Sequence, residues 1–299
     1  MLHLPRGMAI LCLAALVLAA CTSADEGPAS LRVGAGSTTE QQILAAVTVE
    51  LLGRHTVAAE IVPELGDTVD VRDDALDEEI DIYWDYSGAA WALALDLTAP
   101  PIDPQESFEA VAAEELENGL RWLGPSEVDA RLAFFVPGQA VPSAEEATLS
   151  WLAGQLGSSA GSLCADAEYL SARSGFTYLL DTYAIAPDTT ATQAAAEEEA
   201  LAGTADGTCV AGLATATSGQ ARQLGLVPLT DDQGVFPALV LAPVVVSGGL
   251  ADIPTVISLL DALAGQLTSG TLAGLNAQAA AGMPIDQVAV DFIDSVGLG

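Results

Sequence analysis

Glu79-Ile80-Asp81-Ile82-Tyr83-Trp84-Asp85-Tyr86-Ser87-Gly88 is the stretch on which the fold turns. It begins as a strand-like apolar run and ends in small residues, with Trp91 just beyond. Aromatic residues are only 5% of the chain, so three rings beside the carboxylates of Asp81 and Asp85 are an unusual concentration. Ring faces carry negative potential and an Asp adds a full charge, which suits a ligand bearing a cation. A buried strand whose rings fill core is the competing reading. Trp84 and Tyr86 are the candidate ligand walls, Trp91 is expected to pack a helix, and Asp85 reads as a solvated or capping acid beside them.

Working outward, residues 31–35 read as a first strand and the helix after it begins near Ser37. Ser37 lies three before Glu40, the spacing of a capping box, and Ile43, Leu44, Val47, Leu51 and Leu52 form a helical stripe. The free backbone N–H groups at this helix start, near Thr38 and Thr39, could hold a carboxylate. A strand over 58–62, a helix over 68–76 and a strand over 79–83 follow. Such alternation predicts a doubly wound α/β domain, whose ligands bind at the carboxyl ends of strands, where 83–88 falls.

The same alternation continues. Helices are expected over 108–118, 144–156, 175–183, 193–202, 218–224, 254–266 and 285–295, and strands over 120–123, 131–136, 162–165, 209–215 and 235–246. The body is α/β twice over.

The first twenty residues read as an export signal: Arg6 is the lone cation and residues 8–20 are apolar, too short a run to span a bilayer comfortably. Leu18-Ala19-Ala20-Cys21 resembles the bacterial lipobox, in which the cysteine carries lipid and becomes the N-terminus. Residues 21–30 are then a tether. Of the four cysteines, Cys164 and Cys209 remain for the exported body, where a disulfide is the expected fate.

Formal net charge is −33, and all eight cations are Arg. A polyanion binds nucleic acid and anionic lipid poorly, so nucleic-acid partners are excluded. Adaptation to salty or alkaline surroundings is the positive reading of this charge. No GxSxG, P-loop or Cys/His pair is present, and His55 is the sole body histidine, so no enzyme, metal or cofactor is expected.

The run Val33-Gly34 to Thr39-Glu40-Gln41, the opening stretch, and Asp231-Asp232-Gln233-Gly234-Val235-Phe236-Pro237 followed by Ala242-Pro243-Val244-Val245 occur in an order similar to that of the glycine betaine/choline substrate-binding proteins of ABC importers, the OpuAC-like and ProX-like family. The resemblance covers residues 31–299. It implies a two-lobed periplasmic-binding-protein fold (type II-like) with two crossing hinge segments near 134–136 and 236–239. Lobe one would comprise 31–133 plus 240–299, and lobe two 134–239. It also implies a monomer that captures a small solute such as glycine betaine, choline or carnitine by lobe closure and delivers it to a membrane permease. A sensor of the same fold, or a receptor for another zwitterion, is the alternative.

Departures from the family pattern matter. Positions aligned with cage aromatics read Leu132, Thr215 and Ala238, and the Lys of the opening motif reads Gly36. Tyr86 is retained. In lobe two, Tyr169 and Phe176 are candidate walls and Arg173 a candidate carboxylate partner. The usual aromatic cage is depleted.

Overall fold

The computed structural model describes residues 30–95, 101–156, 162–186 and 191–299. The expected signal segment, Cys21 and all but the last residue of the tether lie outside the described residues.

The chain opens with β1 (Leu31–Gly34) and α1 (Thr39–Arg54), whose stripe of Ile43, Leu44, Val47, Leu51 and Leu52 is fully buried. Its capping box is displaced by one residue from the expected Ser37–Glu40 pair. Thr38 caps the helix and Gln41 answers, because the chain turns one residue later and leaves Glu40 free to point elsewhere. Next come β2 (Ala59–Val62), α2 (Thr68–Leu76) and β3 (Ile82–Tyr86).

The third strand therefore begins three residues after the expected start and includes the motif rather than preceding it. Alternation along β3 decides which ring goes where. Trp84 and Tyr86 pack with the α1 side of the sheet, while Tyr83 joins the core on the opposite face. The small residues after Tyr86 start a further helix, α3 (Ser87–Leu95), which buries Trp91 as expected. Gly88 is required there, since a Cβ would meet the Ala238 carbonyl oxygen at 2.5 Å. Then follow α4 (Pro104–Glu117) and the short β4 (Leu120–Trp122).

After β4 the chain crosses to a second sheet. It enters on β5 (Leu132–Pro137) and continues through α5 (Leu149–Leu156), β6 (Ser162–Ala165), α6 (Ala167–Ser171) and a kinked π-type turn over Arg173–Thr177. The expected 175–183 helix is shortened to α7 (Tyr178–Thr182) by the non-helical Gly175. The helix expected over 193–202 starts later: Gln193 and Ala194 instead end β7 (Ala191–Ala194), paired in parallel to β6, and α8 (Glu197–Asp206) begins only after it. Sheet pairing has overridden the helix propensity of this alanine-rich segment. The lobe is completed by β8 (Ala211–Thr215), α9 (Gly219–Gln223) and β9 (Leu226–Pro228).

The chain then returns to the first sheet as β10 (Leu241–Val246) and ends with α10 (Pro254–Ala264), α11 (Ser269–Ala280) and α12 (Ile285–Val296). The long strand expected over 235–246 is thus halved. Its first part is a turn: Asp231 accepts from the backbone N–H groups of Gly234, Val235 and Phe236 at 2.9, 2.6 and 2.8 Å.

Strand orders are β2-β1-β3-β10-β4 in the first sheet and β7-β6-β8-β5-β9 in the second. In each, one antiparallel strand interrupts parallel neighbours, since β10 runs against β3, and β5 against β8. The two passages between sheets are Trp122 to Leu132 and Pro228 to Leu241. The stretch 134–136, expected to cross, is instead inside β5 and paired with β8 and β9. The passages are tied side by side. Asp129 accepts from Leu239 N at 2.9 Å, and Arg131 donates to the Phe236 and Ile102 carbonyls at 3.1 and 3.2 Å.

Each lobe has its own core. Ile82, Trp84, Leu260, Leu263 and Phe292 belong to the first, and Phe134, Leu152, Leu163 and Leu213 to the second. Burial of one such side chain contributes about 1.5–3 kcal/mol. Cys164 and Cys209 form the expected disulfide, with Cα atoms 5.9 Å apart.

Candidate functional site

The carboxyl ends of β1 and β3 deliver Thr38, Thr39, Glu40 and Tyr86 to one side of a cavity of about 520 Å³, with Asn276, Ala279 and Ala280 of α11 beside them. The other side comes from the second sheet: Thr215 at the end of β8, Glu197 in the first turn of α8, and Thr217, Ser218, Gly219 and Gln220 leading into α9. Strand ends of both sheets face one cleft, the place where open α/β sheets bind ligands.

Hydrogen bonds organise its floor. The Tyr86 hydroxyl donates to Glu40 Oε1, while Asn276 Nδ2 donates to Glu40 Oε2 at 2.6 Å and to the Thr217 carbonyl at 2.9 Å. Asn276 Oδ1 is buried without a partner. Burial, reinforced by the Glu40 charge, holds the Tyr86 phenol protonated well above its ordinary range. Across the cleft, Glu197 accepts from Thr215 N at 3.3 Å and from its Oγ1 at 3.5 Å. Desolvation raises the Glu197 pKa, and hydrogen bonds from Thr215 and Ser218 oppose the rise.

A second cavity, of about 700 Å³, adjoins the other side of β5. Leu132, which pairs with Thr215, contributes to it along with Tyr169, Tyr178, Phe236, Ile102, Asp166 and Glu168. Tyr169, Phe134 and Phe236 form a three-ring cluster with centroids 6.1 to 6.3 Å apart. The buried Tyr169 hydroxyl has no partner.

Of the residues singled out in the sequence, Thr38, Thr39 and Tyr86 line the first cavity and Tyr169 the second. Trp84 lines neither. It is 5% exposed, and its indole N–H donates to Thr48 Oγ1 at 2.9 Å within the core, because its place in β3 turns it toward α1. Asp85 points to the opposite face, 2% exposed; Oδ1 accepts from Tyr86 N at 2.7 Å and Oδ2 is unpartnered. It is a buried acid, not a solvated one, and burial pushes its carboxyl up to about 7.

Arg173 is exposed and lines neither cavity, although its neighbours Ala172, Ser174 and Gly175 line the second. Phe176 packs half-buried on the lobe-two core. Ala238 is fully buried. At Gly36 a Cβ would meet the Gln41 amide oxygen at 2.3 Å, so Gln41 fills the space a longer side chain would need. Glu40, Glu197 and Asn276 were missed by sequence reasoning. Glu40 was visible only as a cap residue, and Glu197 as one acid among 41.

The model of the substrate-binding domain of ABC-type glycine betaine transport systems matches residues 29–295. The chain belongs to that family. This binding protein is 27% identical over 296 residues to the glycine betaine-binding protein YehZ of Escherichia coli K12, covering 94% of this chain and 95% of the relative. It is 26% identical to a glycine-betaine-binding protein of Pseudomonas aeruginosa, covering 88% of this chain and 87% of the relative. Among solved structures, apo YehZ superposes with a TM-score of 0.83 at 26% identity, over 91% of this chain and all of that one. A glycine betaine/carnitine/choline ABC transporter structure superposes with a TM-score of 0.81 at 20% identity, over 90% of this chain and 99% of the other, a likeness of fold. The two-sheet, two-lobe architecture is that of the periplasmic binding proteins, and the family is one of binding proteins, not of enzymes.

Proposed function

We propose that this protein is an extracytoplasmic receptor, lipid-anchored through Cys21 to the outer face of the cytoplasmic membrane. It captures a small ammonium-bearing compatible solute of the betaine, choline or carnitine kind and presents it to an ABC permease. Lobe one is 31–131 plus 240–299 and lobe two 132–239, the first cut lying two residues before the expected 133 because β5 begins at Leu132, and the lobes turn about the paired passages near Asp129 and Leu239. Closure commits the loaded form to docking.

The observation that carries this reading is the first cavity. Its wall is shared between the lobes, with Glu40 and Tyr86 on one side and Glu197 and Thr215 on the other, and Asn276 links both sides. A ligand held there touches both lobes and so favours the closed state. Exported location is supported by the Cys164–Cys209 disulfide, a bond of oxidising compartments.

Calorimetric titration against glycine betaine, choline, carnitine, ectoine and proline tests the ligand class. Saturable binding of a quaternary amine is expected, and no heat with any of them would reject the reading. Mass spectrometry of the mature N-terminus tests the anchor, which an unmodified Cys21 would rule out.

A further inference from the structure

The cleft presents carboxylates from both lobes and nothing to balance them. Glu40 enters from the start of α1 and Glu197 from the start of α8. Among the described residues that line the cavity, none is Arg, Lys or His. Glycine stands at position 36, where the Gln41 amide takes the space, and Arg173 lies outside the cavity. The cations nearest in the chain are engaged elsewhere. Arg131 pairs with Asp129 at the crossing, and Arg222 donates to the Gly270 carbonyl.

A carboxylate on a ligand would therefore meet like charge without a counter-ion. At the start of α1, part of the capacity to hold an anion is already used. Glu40 is the acid in its first turn, and the N–H of Gln41 is taken by the Thr38 hydroxyl. The walls are instead rich in acceptors: two carboxylates, the threonine hydroxyls and Asn276 Oδ1, which is buried and unpartnered. Only one ring, Tyr86, lines the cavity, so its selectivity comes from charge more than from an aromatic cage. Two unneutralised carboxylates facing one cleft repel each other, and a cation between them relieves that repulsion.

We propose that this cleft selects net cations over zwitterions, with Glu40 and Glu197 as its specificity-determining residues and a small ammonium compound lacking a carboxylate as its ligand. The inference rests on the receptor reading above and names the substrate class of the same site.

Choline and glycine betaine are the decisive pair, because both carry trimethylammonium and differ in bearing a hydroxymethyl or a carboxylate group. Titration of the wild-type protein should give choline at least about tenfold tighter binding than betaine, since closing the lobes on betaine would set its carboxylate beside like charge. Glu197→Gln, which keeps size and an acceptor, should shrink that ratio by weakening choline and sparing betaine. Its melting curve, matched to wild type, shows that the change lies in the cleft. Betaine binding as tightly as choline, or an unchanged ratio in Glu197→Gln, overturns the inference and leaves the receptor reading standing. Binding of neither compound overturns the inference, and the receptor reading falls with it only if carnitine, ectoine and proline also give no heat.

Discussion

Asn276 Nδ2, on the eleventh helix of the first lobe, stands 2.9 Å from the carbonyl oxygen of Thr217 in the second lobe. The same nitrogen holds Glu40 Oε2 at 2.6 Å, and Glu40 holds the Tyr86 hydroxyl. On the proposed reading, a side chain that grips a cleft carboxylate and the opposite lobe together couples occupancy of the site to lobe closure.

Asn276→Ala removes this link and leaves Glu40 Oε2 without its donor. Loss of a hydrogen bond to a charged group costs about 1.5–3 kcal/mol, so ligand affinity should fall roughly 10- to 100-fold. Thermal unfolding should move little, because neither core is touched. Titration and melting of the same sample check both.

Gly219 sits where α9 of the second lobe packs against α11 of the first. A Cβ there would lie 2.6 Å from Ala277 N and from Asn276 C, backbone atoms that cannot swing aside. Gly219→Ala should hold the lobes apart at this edge, weakening ligand at least about tenfold through a strain of roughly 1–3 kcal/mol. Scattering should show a larger radius of gyration than wild type under saturating ligand.

Asp85 gives a pH dependence of defined sign. Burial among Tyr83, Arg72 and Glu115 keeps its proton on up to about pH 7, whereas an unfolded chain releases it near about 4. The folded state holds the extra proton between these values. The stabilising contribution is thus complete below about pH 4 and is lost as pH rises through about 7. Asp85→Asn should unfold at higher urea than wild type at about pH 8, by roughly 2–4 kcal/mol, and match it at about pH 4. Equal midpoints at the higher pH would contradict the assignment.

The disulfide spans 45 residues of sequence. In the chain-entropy account such a closure contributes about 3–4 kcal/mol. The Cys164→Ser, Cys209→Ser double variant should be less stable by about that amount, and dithiothreitol should lower the melting temperature of wild type only.

What could be read in advance followed physical signal strength. The 68–76 helix and the 162–165 strand were legible at both ends. The third strand ran later than the expected 79–83 because Trp84, Asp85 and Tyr86 continue its alternation between two faces of the sheet. The eleventh helix went unread since Ser269–Ala280 is small-residue rich, with only Leu272 and Leu275 as large apolar positions, and so Asn276 was invisible. The 235–246 strand was overextended because the turn made by Asp231 is a tertiary hydrogen-bond pattern within an apolar run. Tyr86 was found because aromatics are scarce. Glu197 was not, because acids are abundant.

A crystal structure with bound choline tests the central claim most directly. The account predicts choline between Tyr86 and Glu40 on one side and Thr215 and Glu197 on the other, with Asn276 bridging to Thr217. Choline bound outside this cleft, or a cleft left empty at saturating choline, would contradict it.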